Sequence, residues 1–234
     1  MPATALPLRA LALLGVITFI WGTVWPLIPI VMRDISVWTF RAVTMLSASV
    51  LLFIVARARG QSIRIPRAHW GVLLASSLSF LAVWNVAAAY SAILIPSGQS
   101  AVLGFTMPLW SALLSWAVLR ERLGARQLAA IALGTAAVGL LMWPGLAAYQ
   151  AAPVGFALGL GSGLGWAVGT LILQRHPIPV SALALTGWQL LVAGVPITVG
   201  AWVFGDHQWF VPSAALVAVV AYIVFPIDEL DPST

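Results

Sequence analysis

Cysteine and lysine are both absent from this sequence of 234 residues. Without cysteine, the chain can form no disulfide bond and can offer no thiolate to a metal or a redox centre. Charge is scarce as well: charged residues make up 7% of the chain, whereas a soluble domain carries about a quarter because its surface faces water. Hydrophobic residues make up 62%. The composition therefore predicts a protein surrounded by hydrocarbon.

The sequence also offers little that could perform chemistry. Its three histidines, His69, His176 and His207, fall in predicted loops and lack the spacing of metal ligands. It contains no HExxH motif, no phosphate-binding loop and no pair of acidic residues within an apolar run. We therefore predict that the chain is not an enzyme and uses no cofactor or metal. Its net charge of +5 comes from arginines that flank apolar runs, which favours membrane topology over nucleic-acid binding.

Long apolar runs dominate what remains. A helix that crosses a bilayer needs about 20 apolar residues. Eight runs reach or approach this length, at residues 11–32, 37–55, 70–93, 97–119, 128–143, 153–173, 181–203 and 209–227, the last only marginally. They are too long for barrel strands and show no polar alternation. We predict an all-α, polytopic bundle of about eight transmembrane helices in a lipid bilayer.

The arginines predict the orientation of the bundle. Nine of them fall in one alternating set of loops: Arg9, Arg57, Arg59, Arg64, Arg67, Arg120, Arg122, Arg126 and Arg175. The other set holds Arg33 alone, and Arg41 lies within a run. Positive residues accumulate on the cytoplasmic side of a membrane. The N-terminus is therefore predicted to be cytoplasmic, in a plasma membrane or bacterial inner membrane.

Motifs spread over the first five runs resemble those of one transporter family. They are Trp21-Gly22, Phe40-Arg41, Tyr90-Ser91, Ser97-Gly98-Gln99-Ser100-Ala101, Pro108, Arg120-Glu121-Arg122-Leu123, Gln127, Gly134 and Gly139. Their order and spacing resemble the EamA-type transporters of the drug/metabolite transporter superfamily. The resemblance implies two five-helix halves of opposite topology, and the export of amino acids or other small metabolites by alternating access.

An internal comparison also indicates two halves. Residues 15–55 and 159–203 each contain an aromatic–polar dipeptide, Phe40-Arg41 in the first and Trp188-Gln189 in the second. Five crossings per half would invert the second half, as in inverted-repeat transporters. We predict a first repeat at 1–145 and an incomplete second repeat of about three helices at 146–234. Because two further helices are expected, the alternative function is a truncated, non-transporting membrane fragment or an interaction partner.

Polar and aromatic residues inside the runs are the candidate substrate site for a small molecule. They are Trp21, Trp25, Arg41, Trp84, Asn85, Trp166, Trp188 and Gln189. A cavity lined by tryptophan suits apolar or cationic solutes, and a guanidinium can hold a carboxylate. Each residue has an alternative: tryptophans anchor interfaces, lone amides bond neighbouring helices, and Arg41 can extend to the headgroups.

Three further features bear on packing and movement. Pro108 interrupts helix hydrogen bonding, and Glu121 lies between two arginines, so both are candidate structural or gating residues. The run at 153–173 carries two series of glycines, Gly155, Gly159 and Gly163, then Gly161, Gly165 and Gly169. Glycine at every fourth position lets another helix approach closely. We predict packing on two faces within the chain, with a homodimer as the alternative.

Overall fold

The computed structural model describes residues 8–32, 35–118, 120 and 124–205, and every regular element in these ranges is helical. The predicted all-α, polytopic fold class is therefore confirmed. Seven helices follow one another: α1 (Leu8–Val31), α2 (Val37–Ala58), α3 (Arg67–Leu94), α4 (Ser97–Ala117), α5 (Ala125–Ala151), α6 (Pro153–Arg175) and α7 (Ala182–Phe204). The predicted run at 209–227 and Glu121 lie outside the described residues.

Most helix ends fall within three residues of the predicted runs, because apolar length determines them. Within the described ranges, α2 to α7 are each long and apolar enough to cross a membrane. Serine caps fix two of the starts: Ser36 Oγ accepts from the Thr39 amide at 3.1 Å, and Ser181 Oγ accepts from the Ala184 amide at 3.3 Å. A serine in this position satisfies an amide that the first turn leaves free.

Helix α6 packs against α3 and α4 through its glycines. A Cβ on Gly163 would lie 2.9 Å from the Gly104 carbonyl oxygen of α4, and one on Gly165 would lie 2.8 Å from the Ser79 carbonyl oxygen of α3. Ser91 of α3 also donates a hydrogen bond to the Gly155 carbonyl at 2.8 Å. Two faces of α6 are therefore packed within the chain. Gly161 is the exception, since no described atom beyond its chain neighbours and the adjacent backbone of α6 lies within 4 Å of the position that its Cβ would take.

Helices α2 and α7 form an antiparallel pair beside this group. The Phe53 ring packs against Gly187 near one end of the pair, and the Trp38 ring packs against Gly200 near the other end. A side chain on either glycine would overlap the ring. Ser49 Oγ donates to the Gly187 carbonyl at 2.8 Å. Bonds of this kind between transmembrane helices are worth about 0.6–2 kcal/mol each. The pairing joins the second helix of the chain to its seventh.

Candidate functional site

Four tryptophans from three helices meet inside the bundle, and we call them the tryptophan cluster: Trp21, Trp25, Trp84 and Trp166. The ring centroids lie 4.9 Å apart for Trp84 and Trp166, 5.4 Å for Trp21 and Trp166, and 6.1 Å for Trp25 and Trp84. These three pairs meet edge to face, the arrangement that the indole quadrupole favours. All four residues were predicted as site residues, and the structure brings them together.

The cluster lies near the middle of the bundle's depth. Trp21, Trp84 and Trp166 are each well inside α1, α3 and α6, about half-way between the helix ends. Trp84 is buried, whereas Trp21 is 36% exposed and so presents part of its ring for contact. Phe80 and Phe105 extend the aromatic surface, with centroids 4.3 Å from Trp166 and 6.0 Å from Trp25. No motif or spacing in the sequence singles out these two phenylalanines.

Helix α3 contains a π-helical turn, Leu78–Val83, immediately before Trp84. Such turns are rare and occur often at functional sites. Asn85 Nδ2 donates to the Leu81 carbonyl within this turn at 2.8 Å. Asn85 was predicted to line the substrate site, but its amide nitrogen is engaged inside α3. Its contact in the structure is therefore with the irregular turn that presents Trp84.

Helix α4 breaks beside the cluster. One α-helical segment ends at Gly104, and the next begins at Met107, with Pro108 in its first turn. Proline is tolerated there because the first-turn amides have no helical partner. A Cβ on Gly104 would lie 3.0 Å from Cη2 of Trp25 and 3.2 Å from Cη2 of Trp84. Pro108 therefore lies where a broken helix restarts, within the run 97–119 that the sequence predicts as one helix.

Arg41 is buried, at 7% exposure, and its Nε has no hydrogen-bond partner in the described part of the chain. A charge at the centre of a transmembrane helix costs about 2.5–3.5 kcal/mol on insertion scales. An arginine that extended to the headgroups would expose its guanidinium. The burial of Arg41 is contrary to that alternative and leaves its role to be explained.

The contacts between α2 and α3 fix the level of Arg41. These helices are antiparallel: Trp38 contacts Tyr90 with centroids 6.5 Å apart, and Ala42 packs in one cluster with Val86. Arg41 lies between these two levels on α2. It is therefore within about one helical turn of the level of the tryptophan cluster on α3.

The face of α2 that carries Arg41 leads to the same cluster. Val37 precedes Arg41 by four residues, so both lie on one face of the helix. Val37 is buried with Trp25 and Trp84 in a single apolar cluster. Arg41 thus lies on the face of α2 that, one turn away at Val37, packs with Trp25 and Trp84.

Trp188 belongs elsewhere. Its ring lies 5.1 Å from Trp70 and 5.3 Å from Phe53, and its Nε1 donates to the Ile63 carbonyl at 2.6 Å. These contacts are at the end of the bundle that carries the arginine-rich loop 59–66, and we call this end the arginine-rich end. The structure therefore separates Trp188 from the other predicted site tryptophans.

Gln189 is buried at 4% exposure, and its Nε2 finds no partner among the described residues. Along α7 it precedes Pro196 by two helical turns on the same face. Pro196 lines a groove of about 490 Å³ together with Trp38, Leu78, Ala82, Val83, Val86, Ala87, Leu158 and Ile197. None of the four clustered tryptophans lines this groove. The sequence could not indicate it, because aliphatic residues are present throughout the runs.

A transporter family and two proteins named as uncharacterized transporters share sequence with most of this chain. The model of the EamA-like transporter family matches residues 8–143. The uncharacterized transporter YvbV of Bacillus subtilis (strain 168) is 24% identical over 225 residues, which are 95% of this chain and 73% of that protein. The uncharacterized transporter YoaV of the same strain is 23% identical over 197 residues, 82% of this chain and 67% of that protein.

A solved crystal structure of another protein has the same fold. It matches with a TM-score of 0.61 over 88% of this chain and 73% of its own, at 20% sequence identity. At that identity the likeness concerns the fold, so the helical bundle described above is one already found in a protein crystal.

Proposed function

This chain belongs to the EamA-like transporter family and is a multi-pass membrane transporter, and from that premise we propose that it exports small organic metabolites by alternating access. Amino acids and related compounds are the solutes expected from the family resemblance. The proposed location is the plasma membrane or bacterial inner membrane, with the N-terminus in the cytoplasm. The nine-to-one division of arginines between the two sets of loops supports this orientation.

The tryptophan cluster is the observation that supports a solute site. Transporters built from opposed repeats bind their substrates near the bilayer midplane, where discontinuous helices meet. Here rings from α1, α3 and α6 meet at mid-depth, beside a π-helical turn and a broken helix. Indole rings supply large, rigid contact areas to a small solute. This arrangement supports the proposal that Trp21, Trp25, Trp84 and Trp166 bind the substrate.

Alternating access also requires one end of the bundle to be closed while the other admits solute. At the arginine-rich end, Trp188 connects α7 to the loop between α2 and α3 through its bond to Ile63, and to Trp70 at the start of α3. Ile65 of the same loop is buried in one apolar cluster with Leu73 of α3, and Trp188 packs against this cluster. We assign Trp188 to closure of the arginine-rich end.

Replacing Trp188 with phenylalanine is expected to open this end more often. Phenylalanine keeps an aromatic ring but cannot donate to Ile63, and one such bond contributes about 0.5–1.5 kcal/mol. Labelling of a single cysteine at the buried Ser77 should therefore become about two to twelve times faster in Trp188→Phe. The chain has no native cysteine, so the labelled residue is unambiguous.

Trp202→Phe is the matched control, because Trp202 is in the same helix and 75% exposed. It should leave the labelling rate of the Ser77→Cys protein unchanged. Equal rates in the parent protein and in Trp188→Phe would show that Trp188 does not close this end.

Transport by the purified chain tests the proposed function itself. The 234-residue chain is reconstituted in liposomes loaded with a panel of radiolabelled amino acids, aromatic acids, amines and neutral metabolites. We expect saturable efflux or exchange of at least one class, above that of liposomes containing a Trp84→Ala variant. No efflux of any class, from protein shown to be folded and correctly inserted, would favour the alternative of a non-transporting fragment.

A further inference from the structure

We propose that the site recognises planar organic anions, aryl carboxylates in particular, with Arg41 holding the carboxylate and the tryptophan cluster holding the ring. This inference rests on the proposed function, because it assigns a substrate class to the same site. It excludes organic cations as substrates, although tryptophans alone would suit them. It also ranks aromatic amino acids below the matching acids that lack an ammonium group.

The distribution of charge is the first argument. The sequence has six acidic residues, Asp34, Glu121, Asp206, Asp228, Glu229 and Asp231, and none of them lies within α1 to α7. In these seven helices, Arg41 is the one charged residue beyond a terminal turn. A substrate ammonium would therefore meet a positive charge and no carboxylate from these seven helices. A substrate carboxylate would supply an acceptor for the Arg41 Nε, which has none among the described residues.

The state of Arg41 is the second argument. Its side chain is more than nine-tenths buried, and its Nε has no acceptor among the described residues. Buried charged groups in membrane proteins ordinarily have a partner, and those that serve function meet it in a substrate or ion. The planar fork of a guanidinium matches both oxygens of a carboxylate. Lysine presents a single point charge and does not match them in this way.

The geometry of the rings is the third argument. Trp21 lies edge to face with Trp166, and its ring is 36% exposed. Val37, on the same face of α2 as Arg41, is buried in one apolar cluster with Trp25 and Trp84. A substrate held by both the Arg41 guanidinium and the exposed part of the Trp21 ring needs a flat apolar body and an anionic group. Aryl carboxylates have this form.

Binding of four matched probes to the chain in nanodiscs tests the inference. The probes are 2-naphthoate, 2-naphthalenemethanol, 2-naphthylmethylammonium and the zwitterion 2-naphthylalanine, measured by isothermal titration calorimetry. We expect 2-naphthoate to bind at least about tenfold more tightly than the other three, since a charge-assisted, bidentate pair is among the strongest polar contacts. Equal or tighter binding of the ammonium or the zwitterion would overturn the proposal.

Variants at Arg41 locate the effect. Arg41→Gln should remove the preference for 2-naphthoate and leave the affinity for 2-naphthalenemethanol within about twofold. Arg41→Lys should retain part of the preference, because lysine keeps the charge but lacks the planar fork of the guanidinium. Arg57→Gln is the control, since Arg57 lies in the last turn of the same helix and is exposed. An undiminished preference in both Arg41 variants would contradict the role of Arg41.

The two proposals can fail separately. Efflux of amines or neutral metabolites in the liposome assay, with no preference for 2-naphthoate in nanodiscs, would retain the transporter and overturn the anion site. Selective binding of 2-naphthoate without efflux of any anion would retain the site and overturn transport. If Arg41→Gln does not yield folded protein, the comparison of Arg41→Lys with the parent protein decides the question.

Discussion

Transport is expected to fall by about tenfold or more when Trp84 is replaced with alanine. Trp84 contacts both Trp25 and Trp166, with centroids 6.1 and 4.9 Å away, so its removal takes both of these ring contacts out of the cluster and leaves Trp21 as the one tryptophan of the cluster that still contacts Trp166. Each aromatic pair contributes about 0.5–1.5 kcal/mol beyond area burial, and about 1.4 kcal/mol corresponds to tenfold in rate. The initial rate of efflux from liposomes, normalised to folded protein, measures the effect.

Two comparisons separate a site effect from general damage. Trp84→Phe keeps an aromatic ring at the centre of the cluster and should lose less activity than the alanine variant. Trp143→Ala removes an indole that is 74% exposed and lies outside the cluster, so its rate should match that of the parent protein. If Trp84→Ala transports as fast as Trp143→Ala, the cluster is packing and the substrate binds elsewhere.

The helices could be predicted from the sequence because a bilayer imposes a length. Once about 20 apolar residues are required, the runs near Val37 and Pro153 have few alternative starts, and the structure places α2 and α6 at these residues. Irregularities within the helices carry no comparable signal. The π-helical turn Leu78–Val83 has the sequence of an ordinary apolar run, so its place beside Trp84 was not predictable.

The candidate site could be predicted in part, for a related reason. Trp21 and Trp25 lie one turn apart and share a helical face, so their meeting with a common partner followed from spacing. Trp188 also lies within an apolar run, like the tryptophans of the cluster. Its contacts depend on its depth along α7, which the residue type does not indicate. Its bond to Ile63 comes from a loop whose path the sequence does not reveal.

Arg41 and Gln189 illustrate what internal symmetry can and cannot predict. Their helices, α2 and α7, pack against each other. In that pair Trp38 lies against Gly200 and Ser49 bonds to Gly187, so the two helices run antiparallel. Arg41 is consequently about two helical turns from Gln189 along the common axis. The two side chains therefore lie on paired helices at different depths, which is also what inversion of the second half would require.

Substitution of two glycines in α6 is expected to change stability in opposite directions. A Cβ on Gly169 would lie 2.7 Å from the Ser76 carbonyl oxygen and 2.8 Å from the Phe80 amide nitrogen, both of them backbone atoms of α3 that cannot turn aside. Gly169→Ala must therefore push α6 away from the π-helical turn. Overpacking of this kind costs about 1–3 kcal/mol.

Gly161→Ala is the matched change on the same helix. No described atom beyond its chain neighbours and the adjacent backbone of α6 lies within 4 Å of a Cβ at Gly161, so the added methyl group meets no other described helix. Alanine is favoured over glycine in a helix interior by about 0.5–1 kcal/mol. The thermal midpoint in detergent should therefore fall for Gly169→Ala and hold or rise for Gly161→Ala, because the two positions differ in the approach of α3. Equal midpoints for the two variants would mean that close contact between α3 and α6 does not stabilise the bundle. The contact between Trp84 of α3 and Trp166 of α6 would then need another explanation.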